Sequence, residues 1–397
     1  MTGIIIYYFC QWLTLIIIIR IAGYEISGKF SLVISFTNLF GLLSQYNIRN
    51  FQLSDVNNKF LPQQYSGTYI ITSGLAVVFF LLALPFAGYS RNINLSCLIY
   101  MLYKLCETFT NYIFTYMQLK DKYSDIAVSY GLKGVIPLIG FSVWLYFTHN
   151  LFQALCIMSL FYILVIIFYD IKRTRAFFPH GIVMKETILI IKECFPMMLA
   201  SLIYPFMLFI TRHTVEKVYG ATELGYYSAF TMVIVVLSTM AGAVYQVLLP
   251  IISEKYVKRL TGEIARIIFT MLGLISIAAF ITILMARLVG DIVFSFVFGV
   301  EILGYMYLLL PVIITGIMLT VMSFSSVCLV AMQNRVPMLI GMLSGALLLC
   351  LLVMPATRSV GMIGTTNIFT VSLCVIIIIH GLLIFINLRN VINNNAA

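Results

Sequence analysis

Charge is what this chain has least of. Asp, Glu, Lys and Arg make up 10% of its 397 residues, against 62% hydrophobic residues and a mean hydropathy of +1.05. A soluble domain carries about 25% charged residues, so a chain this poor in them cannot cover a surface in water, and a soluble globular protein is excluded. Short alternating segments between polar turns are also missing, which excludes a membrane barrel. The repeated apolar runs of roughly 20 residues are those of membrane helices. No secretory signal with a small-residue cleavage site opens the sequence. The first span starts at about residue 3 without a charged flank, which leaves room for residues ahead of Met1. The 8 cysteines lie in or beside apolar runs and none forms a CxxC pair, so they read as small buried hydrophobes, with no metal or redox site. A P-loop, an HExxH and a Ser/His/Asp set are all lacking, so ATP hydrolysis, an enzymatic role and a cofactor are not expected.

What is present reads as twelve spans, at about 3–19, 30–46, 66–88, 94–119, 126–148, 152–170, 188–211, 225–250, 264–286, 303–332, 337–355 and 361–387. With both termini cytoplasmic, Lys and Arg favour the inner connections by about two to one, as the positive-inside rule requires. The net charge of +10 has a second reading, an anionic lipid-linked substrate. The longest inner connection carries KRTR near its start and divides the chain into an N-terminal six-helix lobe (1–170), a linker (171–187) and a C-terminal six-helix lobe (188–397). Two internal matches support a repeat. Arg20 leads to GYEISGKFSL, from Gly23, and Arg212 to GATELGYYSA, from Gly220; the fourth span exits with YMQLKDKYSDIAVSYGLKG and the tenth with AMQNRVPMLIGMLSGA. Repeated halves around a midplane site are a common transporter plan.

Polar residues inside the spans are the candidates for chemistry, because the bilayer core offers them no partners. In the second span Ser31, Ser35, Asn38 and Gln45 share a helix face. In the fourth, Lys104, Glu107, Asn111, Thr115 and Gln118 fall at steps of three, four, four and three, a continuous polar stripe. Lys104 and Glu107 either neutralise each other one turn apart or line a cavity. Ser129, Lys133, Pro137 and Gly140 share a face of the fifth span; Lys133 either snorkels to the interface or meets an anionic headgroup. Arg20 and Arg212 end the first and seventh spans as interfacial anchors or as a matched pair with one role. Arg49 and Asp55 flank the second span as an ion pair, a cap or a substrate contact. Pro196 and Pro205 make the seventh span a hinge or a static kink. His213 and His380 are isolated, and each reads as a satisfied interhelical hydrogen bond sooner than as a proton relay.

Gln11-Trp12, RIAGYEISGKFSL and NIRNFQLSDVNNKF followed by QQYSGTYIITSG resemble bacterial polysaccharide flippases. These are the O-antigen and capsule repeat-unit translocases of the multidrug/oligosaccharidyl-lipid/polysaccharide (MOP) exporter superfamily. The likeness is sharpest over about the first 130 residues. It implies an all-α integral membrane protein of the bacterial inner membrane, with about twelve helices in two pseudo-symmetric lobes around a central cavity. It also implies transfer of an undecaprenyl-diphosphate-linked oligosaccharide to the outer leaflet by alternating access. Arg20, Arg49, Lys104, Lys133 and Arg212 would hold the diphosphate, and Asn38, Asn111 and Gln118 would meet the sugar. Membrane lipids, a polysaccharide polymerase and a chain-length regulator are the implied partners; nucleic acid is not. Related cation-coupled exporters often carry an acidic residue in the first span, which this chain lacks, leaving Glu107 for any ion coupling or the membrane potential alone as the drive. The competing readings are a cation-coupled small-molecule exporter of the same fold and a membrane polymerase.

Overall fold

The structure, a computed structural model, describes residues 2–54, 59–175, 183 and 186–396, and among these it contains helices and turns but no strand. The first helix, α1 (Thr2–Gln45), holds both the first and the second expected spans. It breaks at Gly23, where φ is 83° and ψ is 177°. That region of backbone space is essentially closed to residues with a Cβ, so this glycine turns 44 residues of helix into two arms. Next come α2 (Ile48–Ser54), α3 (Pro62–Ala83), α4 (Arg91–Leu119), α5 (Tyr123–Thr148) and α6 (Leu151–Val165). A π turn, Ile166–Asp170, carries α6 into the short α7 (Ile171–Thr174).

The second series starts with α8 (Thr187–Tyr219) and α9 (Ala221–Val257), which meet at Gly220. Its φ of 88° and ψ of 178° are nearly those of Gly23. The two glycines open the matched stretches GYEISGKFS and GATELGYYS, so the repeat read from sequence has the same elbow in both copies. The chain then runs through α10 (Thr261–Phe298), a 3-10 stretch at Val300–Leu308, α11 (Leu309–Ala331), α12 (Arg335–Val360) and α13 (Met362–Ala396). Among the described residues, 10 helices are long and apolar enough to cross a membrane. With the arms of α1 counted separately and α4 added, every one of the twelve expected spans has its helix. The long helix missing from that set, α4, carries the polar stripe, and this stripe lowers its hydropathy.

Packing divides the chain into two compact units, Met1–Phe209 and Ile210–Ala397. The expected division at 171–187 falls earlier, and most of that linker lies outside the described residues. The start of α8 belongs with the first unit because Ile190, Cys194 and Met198 are buried among Tyr46, Phe60, Tyr65 and Tyr116. In the first unit α1 packs on α3, α4 and α5, and α6 packs on α4 and α5. Small residues allow these approaches: a Cβ on Gly134 would stand 3.1 Å from the Cα of Tyr7. In the second unit α11 packs on α9 and α13, and α12 packs on α13. Its α10 leaves Phe269, Phe280, Ile292 and Phe296 exposed, apolar surface suited to lipid tails. The chain is a multi-pass membrane protein.

Candidate functional site

Within the first unit the helices leave a cavity of about 290 Å³. Tyr7, Tyr8, Asn38 and Gln45 reach it from the two arms of α1, and Lys104, Glu107, Thr110 and Asn111 from α4. Tyr130, Tyr162 and Pro205 close it from α5, α6 and α8. Gly41 makes room for the lysine: a Cβ there would sit 3.3 Å from both Cβ and Cδ of Lys104. A larger residue would push the Lys104 stem off the α1 surface.

The charge in the cavity is organised around Glu107. Lys104 Nζ pairs with its Oε2 at 2.8 Å, and Tyr7 Oη donates to its Oε1 at 3.2 Å. Gln11 Nε2 donates to Tyr103 Oη at 2.7 Å and to Tyr7 Oη at 3.1 Å, which fixes the tyrosines behind the pair. Lys104 Nζ also lies 5.5 Å from the ring centre of Tyr100, a cation–π distance. Both readings of Lys104 and Glu107 therefore hold at once: they pair with each other and they line the cavity.

Arg49 approaches the same wall from α2. Its Nη1 donates to Asn111 Oδ1 and its Nη2 to Gln118 Oε1, each at 3.2 Å. Two neutral amide oxygens orient the guanidinium without cancelling its charge. Asp55, its expected neighbour, lies outside the described residues, and among the described residues no carboxylate pairs with Arg49. The lower stripe of α4 thus does two things, with Asn111 facing the cavity and Gln118 completing the fork.

The remaining candidates are held in several ways. Ser31 is buried, and Ser35 Oγ donates to the Ser31 carbonyl at 2.7 Å, so only Asn38 and Gln45 of the second-span stripe reach the cavity. Thr115 likewise bonds back to the Asn111 carbonyl at 2.9 Å. Lys133 is buried, so it does not snorkel, and it is not on the cavity wall. It is ion-paired with buried Asp170, a carboxylate not among the candidates read from sequence. Arg20 is exposed on the first arm of α1, whereas Arg212 is buried in the second unit. Relative to the elbow glycines they are not equivalent: Arg20 stands three residues before Gly23 and Arg212 eight before Gly220. Helix α8 runs on through Pro196 and Pro205, and Pro205 lines the cavity. His380 bonds Ser325 Oγ at 3.0 Å and the Met338 carbonyl at 3.1 Å, joining α13 to α11 and α12 as expected. The tyrosine wall was missed. Tyr7 and Gln11, one helical turn apart in the first span, were the available signal.

Comparison with known proteins bears on the fold. No protein-family model matches the chain. Over 296 residues, 74% of this chain and 74% of its counterpart, it is 22% identical to the capsular polysaccharide biosynthesis protein CapF of Staphylococcus aureus. It resembles the inward-facing conformation of a multidrug resistance MATE family transporter of the MOP superfamily with a TM-score of 0.67 and 11% identity, over 99% of this chain and 96% of the other. The outward-facing conformation of a MATE family transporter matches with a TM-score of 0.67 and 11% identity, over 98% and 94%. The fold is the MATE fold. Within that MATE framework the cavity of Tyr, Asn, Lys and Glu side chains belongs wholly to the first unit, and Arg49 supplies a cation at its edge.

Proposed function

We propose that this chain is a transporter, not an enzyme, and that it moves an undecaprenyl-diphosphate-linked oligosaccharide from the cytoplasmic to the outer leaflet of a bacterial inner membrane. The observation that carries this reading is Arg49, oriented by Asn111 and Gln118 beside a polar, tyrosine-rich cavity. A guanidinium held by neutral acceptors suits a diphosphate, whose charge would otherwise be costly to bring into low dielectric. Amide and phenol groups suit sugar hydroxyls, and a cavity of about 290 Å³ takes one such polar group while the lipid tail stays in the bilayer. The likeness to a protein named for capsular polysaccharide biosynthesis agrees in direction. Both termini are cytoplasmic in this reading, and a polymerase and a chain-length regulator act next.

A cation-coupled small-molecule exporter is the second reading, favoured by the modest cavity and by the likeness to multidrug transporters. Depleting the protein in its native host separates the two. Accumulation of the lipid-linked repeat unit on the cytoplasmic leaflet, with loss of surface polysaccharide, is the expected result. Accumulation on the outer leaflet would place the block at polymerisation and overturn the proposal. Intact polysaccharide with lost drug efflux would favour the exporter.

A further inference from the structure

Thr110 on the cavity wall is bonded unlike its neighbours on α4. Thr108 Oγ1 donates to the Lys104 carbonyl at 3.1 Å and Thr115 Oγ1 to the Asn111 carbonyl at 2.9 Å, so each spends its hydrogen on its own helix. Thr110, buried and lining the cavity, instead accepts twice. Lys133 Nζ donates to its Oγ1 at 2.8 Å and Tyr162 Oη at 3.4 Å. A hydroxyl has two lone pairs and one hydrogen. With both lone pairs taken, Thr110 meets a ligand through its O–H, as a donor. Lys133 keeps it in that state, because its ammonium is pinned by Asp170, whose other oxygen accepts from Ser129 Oγ at 2.6 Å.

The adjoining groups have the same polarity. Arg49 can only donate, so it takes Asn111 Oδ1 and leaves the Nδ2 hydrogens for the cavity. Glu107 already accepts on both oxygens, from Lys104 and Tyr7, and its charge cancels that of Lys104. This stretch of wall is rich in donors and close to neutral. We propose, on the saccharide reading above, that Thr110 is a specificity-determining residue, that Lys133 is its positioning residue, and that the group selected is the amide carbonyl of an N-acyl sugar. Such a carbonyl accepts, never donates and carries no charge. A sugar hydroxyl does both, so a fixed donor does not tell it apart. A carboxylate or phosphate would lie against Glu107 with no surplus cation beside it, since Arg49 stands at the cavity edge. The acyl N–H has the Asn38 and Gln45 amides for acceptors, and its methyl has tyrosine rings to pack on.

The test is binding of N-acetylglucosamine, glucose and glucuronate to the purified full-length chain in detergent, measured by equilibrium dialysis. Wild type should bind N-acetylglucosamine about tenfold more tightly than the other two. Thr110→Val, which keeps the shape and removes the hydroxyl, should abolish that preference, and Thr110→Ser should retain it. Lys133→Met/Asp170→Asn removes the pair and lets the Thr110 hydroxyl turn, so it should bind both neutral sugars with the preference lost. No saturable binding, equal binding by wild type, tightest binding of glucuronate, or a preference that survives Thr110→Val each overturns the assignment. A double variant that keeps the preference, or weakens for both sugars alike, removes Lys133 from its positioning role. Should that variant not fold, Tyr162→Phe, which takes away the other donor to Thr110, is measured in its place and should lower the preference; an unchanged preference refutes the role of the filled lone pairs. Soluble sugars report on the cavity without lipid or transport, so failure here and failure of the depletion experiment are read separately.

Discussion

Arg49 gives the sharpest prediction at the residue scale. Its two nitrogens reach two different amide oxygens, which a single ammonium cannot do. Arg49→Lys should therefore slow transfer of a lipid-linked oligosaccharide between the leaflets of proteoliposomes on the order of tenfold, about 1.4 kcal/mol. Transfer at the wild-type rate would show that charge alone suffices. Lys104 is held differently, against Glu107 at 2.8 Å, and its removal leaves a partly buried carboxylate without its cation. Lys104→Ala should abolish translocation while the protein still reaches the membrane in normal amount, read by transport assay and membrane immunoblot. Normal activity would remove Lys104 from the working surface of the cavity. The stripe on α4 made these residues legible in the sequence, because side chains three and four apart share a helix face. Their partners were not legible: Tyr7 and Glu107 are 100 residues apart in the chain, and Lys133 and Asp170 are 37 apart.

At the scale of elements, the elbow at Gly23 joins the two arms of α1 and the elbow at Gly220 joins α8 to α9. Both hold a positive φ with an extended ψ, a combination costing about 1–3 kcal/mol in a residue with a Cβ. Nothing lies within 4 Å of a Cβ built at either position, so an alanine there meets backbone strain and no steric clash. Gly23→Ala and Gly220→Ala should each lower the thermal unfolding midpoint in detergent by a similar amount. An unchanged midpoint in either would show that its elbow relaxes at little expense. Gly41 works by space instead, its Cβ position lying 3.3 Å from the Lys104 stem. Gly41→Leu should mimic Lys104→Ala in transport with little loss of folded protein, a comparison that transport and yield measured together would decide.

On the scale of the whole molecule, the excess of Lys and Arg on one set of connections predicts that both termini face the cytoplasm. Epitope tags at either end should be digested by protease in inverted membrane vesicles and protected in intact spheroplasts; the opposite pattern would reverse the direction of transport argued above. The spans themselves were readable because a bilayer demands long apolar runs and punishes charge within them. Even α4, the polar exception, could be placed by the regular spacing of its polar residues.

The sequence by itself determined that this chain lives in a membrane, how many spans it has, where the matched stretches fall and which face of α4 is polar. Each of these follows from local composition and periodicity. Tertiary structure alone decided which polar residues meet. It gave Lys133 to Asp170, left Arg20 exposed and Arg212 buried, brought the start of α8 into the first unit and built the tyrosine wall. Those outcomes depend on how helices far apart in the chain pack together, because a buried charge takes whichever partner packing places beside it.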